Sequence, residues 1–251
     1  MNSIDLNCDM GESFGVWRMG QDAEVMPWIS SANIACGMHA GDPATMLRTV
    51  DLARAHGVSI GAHLALPDLA GFGRRAIAIE PADLHALVLY QLGALAGVAR
   101  ARAMELRHVK PHGALYHQLA ADAALGDAFA AAVQAFDARL RVVTQVQGAL
   151  PAAAAAHGLR VLREAFADRG YGSDGRLLPR SQAGALLPPA RAAAQALLLA
   201  SAGCAEDADG RRVPVAADTL CLHGDREDAA ALAHAVHRRL AAAAIRIEAP
   251  A

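Results

Sequence analysis

Of the 23 lysine and arginine residues in this 251-residue chain, Lys110 is the single lysine. It stands in Lys110-Pro111-His112-Gly113, directly after the β-like run Leu106-Arg107-His108-Val109. Arginine supplies positive charge everywhere else. A lone ammonium therefore marks a place that needs a compact charge with a tunable pKa, rather than a planar, permanently charged guanidinium. Asparagine is equally scarce: beyond Asn2 there are only Asn7 and Asn33, both at or beside expected strands. Polar residues gather where strands end. Asn7, Asp9, Gly11 and Glu12 close the first; Asn33, Cys36, Gly37, His39 and Asp42 follow the second; His63 follows the third. Lys110, His112 and Tyr116 follow the fourth, Glu164, Asp168 and Arg169 the sixth, and His223-Gly224-Asp225 the last. His39, His63, His112 and His223 each lie within two residues of a glycine, where backbone turns tightly and a ligand can approach.

This set supports two kinds of chemistry. Asp9 with two of His39, His63 and His112 would form a carboxylate–imidazole site for a divalent metal, with positions left open for water. Such an ion lowers the pKa of bound water and polarises a carbonyl. Alternatively, Asp9 or Glu164 acts as general base with a histidine as acid, and no metal takes part. The spacing leaves both open. No Gly-x-x-x-x-Gly-Lys loop precedes the sole lysine, so any ATP used would bind mainly on another chain. Taken singly, Asp42 and Asp225 read as helix N-caps and Cys8, Cys36 and Cys221 as core packing. The other seven histidines, His56, His85, His234 and His237 among them, read as surface residues in or near helices.

The elements that position these residues alternate. Strands are expected at Ile4–Cys8, Ala32–Cys36, Val58–Ala62, Leu106–Val109, Arg141–Val146, Leu159–Glu164 and Val215–Leu222. Asp42-Pro43 opens a helix that ends near His56-Gly57, through an N-cap and an N1 proline. Glu80-Pro81 opens another running to about Arg102, with Leu84, Leu87, Val88, Gln91, Leu92 and Leu95 at helical spacing. Further helices are expected at Ala121–Phe136, Gly148–His157, Pro189–Ala202 and Asp225–Ala244, the last capped by Asp225. The Gly-rich stretch Phe166–Pro188 reads as a functional loop and Cys204–Val213 as a polar surface excursion. Strand–helix alternation of this kind predicts an α/β fold, a distorted TIM-like (β/α)7 barrel forming one domain over 1–251, with an open doubly wound sheet as the runner-up.

Composition narrows the function classes. At 54% hydrophobic and 19% charged, the chain can bury a sizeable core. A net charge of −2, with no basic run, argues against a nucleic-acid or anionic-membrane partner. No apolar window is long and charge-free enough to span a membrane, and Asp5 and Asp9 stand where a signal peptide would be basic then apolar. A cytoplasmic protein is expected.

Long segments resemble the LamB/YcsF lactam-utilisation family, whose members serve as the A component of 5-oxoprolinase. They are Asp5-Leu6-Asn7-Cys8-Asp9-Met10-Gly11-Glu12, Ser31-Ala32-Asn33-Ile34-Ala35-Cys36-Gly37 with His39-Ala40-Gly41-Asp42, and Lys110-Pro111-His112-Gly113-Ala114-Leu115-Tyr116. Glu164 through Tyr171, Pro179-Arg180-Ser181 and Cys221 through Asp225 match as well. The chain departs from the family at Met38, commonly aromatic, and at Leu64, commonly proline. The resemblance implies a barrel of the glycoside hydrolase/deacetylase type. It also implies ATP-dependent opening of 5-oxo-L-proline to L-glutamate with partner subunits B and C; homo-oligomerisation stays open. On that reading Asp9, Glu12, His39, His63, Lys110 and His112 are catalytic. Asn7, Asn33, Tyr116, Glu164, Asp168, Arg169, Arg180 and His223 bind substrate, with Arg169 or Arg180 clamping its carboxylate. Two alternatives remain: a stand-alone metal-dependent amidase or deacetylase, and a non-catalytic binding subunit. Remoter still is a Schiff-base lyase at Lys110.

Overall fold

The computed structural model describes residues 3–179 and 181–250. Its centre is a closed barrel of seven parallel strands: β1 (Ser3–Met10), β2 (Ser31–Ala35), β3 (Ser59–Leu64), β4 (Leu106–Pro111), β5 (Arg141–Thr144), β6 (Val161–Phe166) and β9 (Thr219–Leu222). Each pairs with the next, and β9 pairs with β1 to close the ring. Short α1 (Asp22–Val25) precedes β2. The outer layer is α2 (Pro43–His56), α3 (Pro81–Arg100), α4 (Gly113–Ala121), α5 (Ala123–Asp137), α6 (Ala149–Ala156), α7 (Pro189–Ala202) and α8 (Ala229–Ala242). Strands β7 (Cys204–Glu206) and β8 (Arg212–Pro214) form an antiparallel pair after α7, and β10 (Arg246–Ile247) runs parallel beside the start of β1.

The expected barrel, with its seven strands, is therefore the fold. Helix punctuation works as the sequence indicates. Asp42 accepts from the Ala44 and Thr45 amides at 3.0 and 3.2 Å, Pro43 starts α2, and Gly57 ends it in the left-handed region. Strand β1 shows how the layers separate. Leu6, Cys8 and Met10 are buried against the helices, while Asp5, Asn7 and Asp9 alternate with them and reach across the barrel interior.

Several expectations change. Residues 113–121 form α4, which bends into α5 because Asp122 caps the second helix at the Ala124 and Leu125 amides. Strands β1, β3, β4 and β6 run two residues further than expected, so His63 and Lys110 lie within strands rather than after them. Asp225 does not cap α8, which starts at Ala229 after Asp228; Asp225 instead pairs with Arg74. The stretch from Cys204 is no polar excursion, since it builds the β7–β8 ladder with Cys204, Ala205 and Asp207 buried. His108 is not a surface histidine but lies inside the barrel, 4% exposed. All four cysteines are buried and free. Helix α3 is long and apolar enough to cross a membrane, with a mean hydropathy of 1.3. In the fold its Leu84, Val88, Leu92 and Leu95 face the core, as an outer-layer helix of a barrel does.

Gly61 on β3 has no alternative, because a methyl there would overlap the His108 ring from β4. Gly61→Ala is expected to lower stability by about 2 kcal/mol through overpacking. In a His108→Ala background the same substitution should cost less than half as much, a coupling readable by urea denaturation of the double-mutant cycle.

Candidate active site

The carboxyl ends of the strands surround a pocket of about 260 Å³. Asp9, Glu12, His63, Lys110, His112, Tyr116, Arg169 and His223 from the expected set line it. Beneath it, the Lys110 ammonium lies 2.8 Å from Asp9 Oδ1 and 2.8 Å from Glu164 Oε1, at 4% side-chain exposure. Burial alone would push the lysine pKa down, but the charge of Asp9, helped by Cys221 and Glu164, outweighs it and holds the group well above its usual range. Burial opposes Asp9 as a carboxylate too, yet His63 and Lys110 keep it ionised well below its ordinary pKa.

A polar network fixes Asp9 from below. Asn33 Nδ2 donates to Asp9 Oδ1 at 2.8 Å and to Asn7 Oδ1 at 2.7 Å, and His108 Nε2 donates to Asn33 Oδ1 at 2.7 Å. Asn7 Nδ2 donates to Thr219 Oγ1 at 2.7 Å, and that hydroxyl donates to Asp5 at 2.6 Å. Burial keeps His108 neutral, its pKa pushed down to about 3. Asn7 and Asn33 thus lie under the pocket and act on it through Asp9 and Lys110.

The histidines form a second centre beside the lysine. The left-handed Gly11 (φ 70°) turns the chain after β1 so that Glu12 reaches them. His63 Nδ1 donates to the Lys110 carbonyl at 3.2 Å, and His112 Nε2 donates to the Phe72 carbonyl at 2.9 Å. Burial pushes the His112 pKa down to about 3, which leaves its Nδ1 bare, and that nitrogen faces His63 Nε2 at 2.9 Å. His39 Nε2 lies 3.2 Å from Glu12 Oε1, while its buried Nδ1 has no hydrogen-bond partner. Glu12, His39, His63 and His112 each offer a ligand atom, all within 4.8 Å of one another. Imidazole nitrogens bared by backbone partners and converging with a carboxylate suit a divalent cation. The sequence pointed to Asp9 as the carboxylate of that group. The group within 4.8 Å has Glu12 as its carboxylate; Lys110 and Asn33 engage Asp9 Oδ1, and Asp9 Oδ2 lies beside the group, 3.3 Å from His63 Nε2. Without a cation, burial and the Asp9 charge push the Glu12 carboxyl well up, and burial with His112 and His63 keeps His39 neutral.

Across the pocket, His223 Nδ1 lies 3.0 Å from both oxygens of Asp168 and its ring stacks on Phe166. Asp168 is fully buried, so the pair holds the His223 ring through Nδ1. Tyr116 lines the pocket with a buried hydroxyl that lacks an aligned partner, as do both Glu164 oxygens, whose contact with Lys110 is a close charge pair. Arg169 lines the pocket, but its guanidinium donates to the Ala185 and Leu178 carbonyls and braces the loop after β6. Arg180 lies outside the described residues. Two stretches copy familiar letters: Gly11-x-Ser13-x-Gly15 and Gly170-x-Gly172-x-x-Gly175. Neither opens a helix, and Ser13 Oγ donates to the Met19 carbonyl. Sequence reasoning missed His108, Arg74 and Phe72, and read Asp225 as a helix cap rather than a pocket residue. His108 shares the period-two face of Lys110, which was a usable signal.

A closed parallel barrel with a polar site at the carboxyl ends of its strands is an architecture that keeps active sites at that end. The chain belongs to the LamB/YcsF family, whose model matches residues 4–251. It is 53% identical over 251 residues to the 5-oxoprolinase A component of Symbiobacterium thermophilum, covering 100% of this chain and 96% of that protein. The protein of the same name from Methylococcus capsulatus is 54% identical over 98% of this chain and 95% of its own length. The crystal structure of a lactam utilization protein from Thermus thermophilus superposes with a TM-score of 0.95 at 45% identity, covering 99% of this chain and 100% of that one.

Titration of the metal-stripped protein with Zn²⁺ or Mn²⁺ is expected to show one tight site. His63→Ala or His112→Ala should weaken it about 100-fold, whereas Asp9→Asn should change it far less. Isothermal calorimetry and metal analysis after gel filtration check this. Equal losses in all three variants would return Asp9 to the ligand set.

Proposed function

We propose that this chain is the lactam-opening subunit of an ATP-dependent 5-oxoprolinase, converting 5-oxo-L-proline to L-glutamate with two partner subunits. The carrying observation is the Lys110 ammonium, buried between Asp9 and Glu164 at the floor of a small pocket and adjoining the Glu12/His39/His63/His112 cluster. A five-membered lactam is a stable amide whose C5 resists water. Phosphorylation of its oxygen by ATP on the partner chains would make C5 electrophilic, which fits a chain whose only lysine follows no phosphate loop. The names of the relatives, a 5-oxoprolinase component and a lactam utilization protein, support the same substrate class. An ATP-fed reaction of this kind belongs in the cytoplasm.

The residues divide the work. Lys110 faces the charge that develops on the C5 oxygen or its phosphoryl group, in a site where burial strengthens every electrostatic contact. Asp9 fixes that ammonium through Oδ1, and its Oδ2 lies 3.3 Å from His63 Nε2. With no ion held, His63 Nε2 or His112 Nδ1 takes the proton of the attacking water; with an ion held there, those nitrogens are ligands and Asp9 Oδ2 takes it. His223, oriented by Asp168 and protonated at Nε2, gives a proton to the ring nitrogen as the C5–N bond breaks, and a second water releases phosphate from the resulting γ-acyl phosphate to leave L-glutamate. A divalent ion held by Glu12, His39, His63 and His112 would supply a more acidic water and a polarised carbonyl.

In the complex reconstituted with its partner subunits, Lys110→Met and Asp9→Asn are each expected to lower kcat about 100-fold or more while assembly is retained. Glutamate release and gel filtration measure the two quantities. Full turnover in both variants would instead identify a non-catalytic binding subunit. The self-contained Glu/His cluster favours one further reading, a metal-dependent amidase acting alone. Hydrolysis of a simple amide by the isolated chain without ATP would establish it.

A further inference from the structure

An anionic lactam needs a cation at the mouth as well as one at the floor. Among the described residues lining the pocket, the lysine and arginines are Lys110, Arg169 and Arg74. The first is held between Asp9 and Glu164. Arg169 is 7% exposed and commits its guanidinium to the carbonyls of Ala185 and Leu178, so turning it toward a ligand would leave buried acceptors unpaired.

Arg74 differs in every respect. Its side chain is 44% exposed, its centre lies 5.0 Å over the Phe72 ring, and Nη2 meets Asp225 Oδ2 at 2.5 Å across the mouth. Its backbone is rigid. Asp68 accepts from the Gly71 and Arg75 amides, the Phe72 carbonyl accepts from His112, and the Gly73 carbonyl accepts from the Ala114 amide at 2.8 Å. A loop held by backbone hydrogen bonds therefore carries a half-exposed guanidinium, paired at its tip with the 16% exposed Asp225 carboxylate. Asp225 presents to Arg74 the same group that a substrate carboxylate would present.

We infer that Arg74 is the carboxylate-recognition residue of the pocket, exchanging Asp225 for the α-carboxylate of the bound lactam and so selecting amino-acid-derived lactams over neutral ones. The inference rests on the lactam reading above and replaces Arg169 as the clamp. A bidentate fork suits a planar carboxylate, and a lysine at the same position would supply charge without that geometry.

The test uses the full chain, with 5-oxo-L-proline and the carboxylate-free 2-pyrrolidinone as probes in ligand-observed NMR titrations. Arg74→Ala is expected to weaken 5-oxo-L-proline binding about tenfold or more and to leave 2-pyrrolidinone unchanged, so the preference between the two collapses. Arg74→Lys should recover part of the loss, and Asp225→Asn should tighten 5-oxo-L-proline binding by removing the competitor. Unchanged thermal melting confirms that these rim variants fold. Wild-type binding of 5-oxo-L-proline that Arg74→Ala leaves intact would overturn the clamp alone. A wild-type chain that binds neither lactam overturns the clamp and the lactam reading together.

Discussion

The structure is organised around one buried ammonium. Taking Lys110 out of water costs roughly several kcal/mol, and a single carboxylate partner returns that only when its geometry is good and its remaining lone pairs are satisfied. Here two carboxylates, Asp9 and Glu164, flank the charge from different strands. The arrangement carries an excess negative charge inside the barrel, and the surrounding donors answer it. Asn33 joins Lys110 on Asp9 Oδ1, and Oδ2 lies 3.3 Å from His63 Nε2. Removing either carboxylate would leave the remaining groups mismatched, which ties the register of β1, β4 and β6 to one electrostatic requirement.

That requirement extends through the whole barrel interior. Most parallel barrels fill this space with branched apolar side chains. This one fills much of it with Asp5, Asn7, Asn33, His108 and Thr219, linked donor to acceptor from the base up to Asp9. Amide orientations in such a chain are fixed by their ends. The Asp5 carboxylate can only accept, so the Thr219 hydroxyl points at it and Asn7 must donate to the hydroxyl oxygen; the Asn7 oxygen is then left for Asn33. The neutral His108 supplies the proton that closes the chain at Asn33. Satisfied networks of this kind define a single arrangement, whereas a half-satisfied one would cost more than an apolar core.

Much of this was legible in residue scarcity and alternation. Lys110, Asn7 and Asn33 stood out because the composition avoids their types, and each lies in the network that carries the site. Most of the seven strands were readable because helices separate them, several opened by a proline at the first turn, as at Pro43, Pro81 and Pro189. Two kinds of information were not local. The place of Glu12 in the histidine group depends on the turn at Gly11, and Lys110 engages Asp9 from another strand. Arg169 looked like a clamp from its neighbours in sequence, but the carbonyls that occupy it belong to residues 178 and 185, brought back by the loop. The helix at 113–121 was hidden because its first residue is a glycine and no side chain caps it.

The ion pairs grade with depth, and the grading matters for function. At the floor, the 4% exposed Lys110 pair is locked, because breaking it strands a charge where water cannot follow. At the rim, Arg74 is 44% and Asp225 16% exposed, so this pair lies nearer water and exchanges partners at lower cost than the floor pair. A site that must hold its reacting groups still while admitting and releasing a charged ligand needs both kinds of contact, and needs them in this order. Were the strong pair at the mouth, entry would require breaking it; were the weak pair at the floor, the ammonium would drift from the reacting oxygen. The loop after β3 joins the two regimes, since its Phe72 carbonyl fixes the His112 tautomer while its next-but-one residue reaches Asp225. Ligand contact at the rim is thereby attached, through two peptide units of rigid backbone, to the imidazole that faces His63.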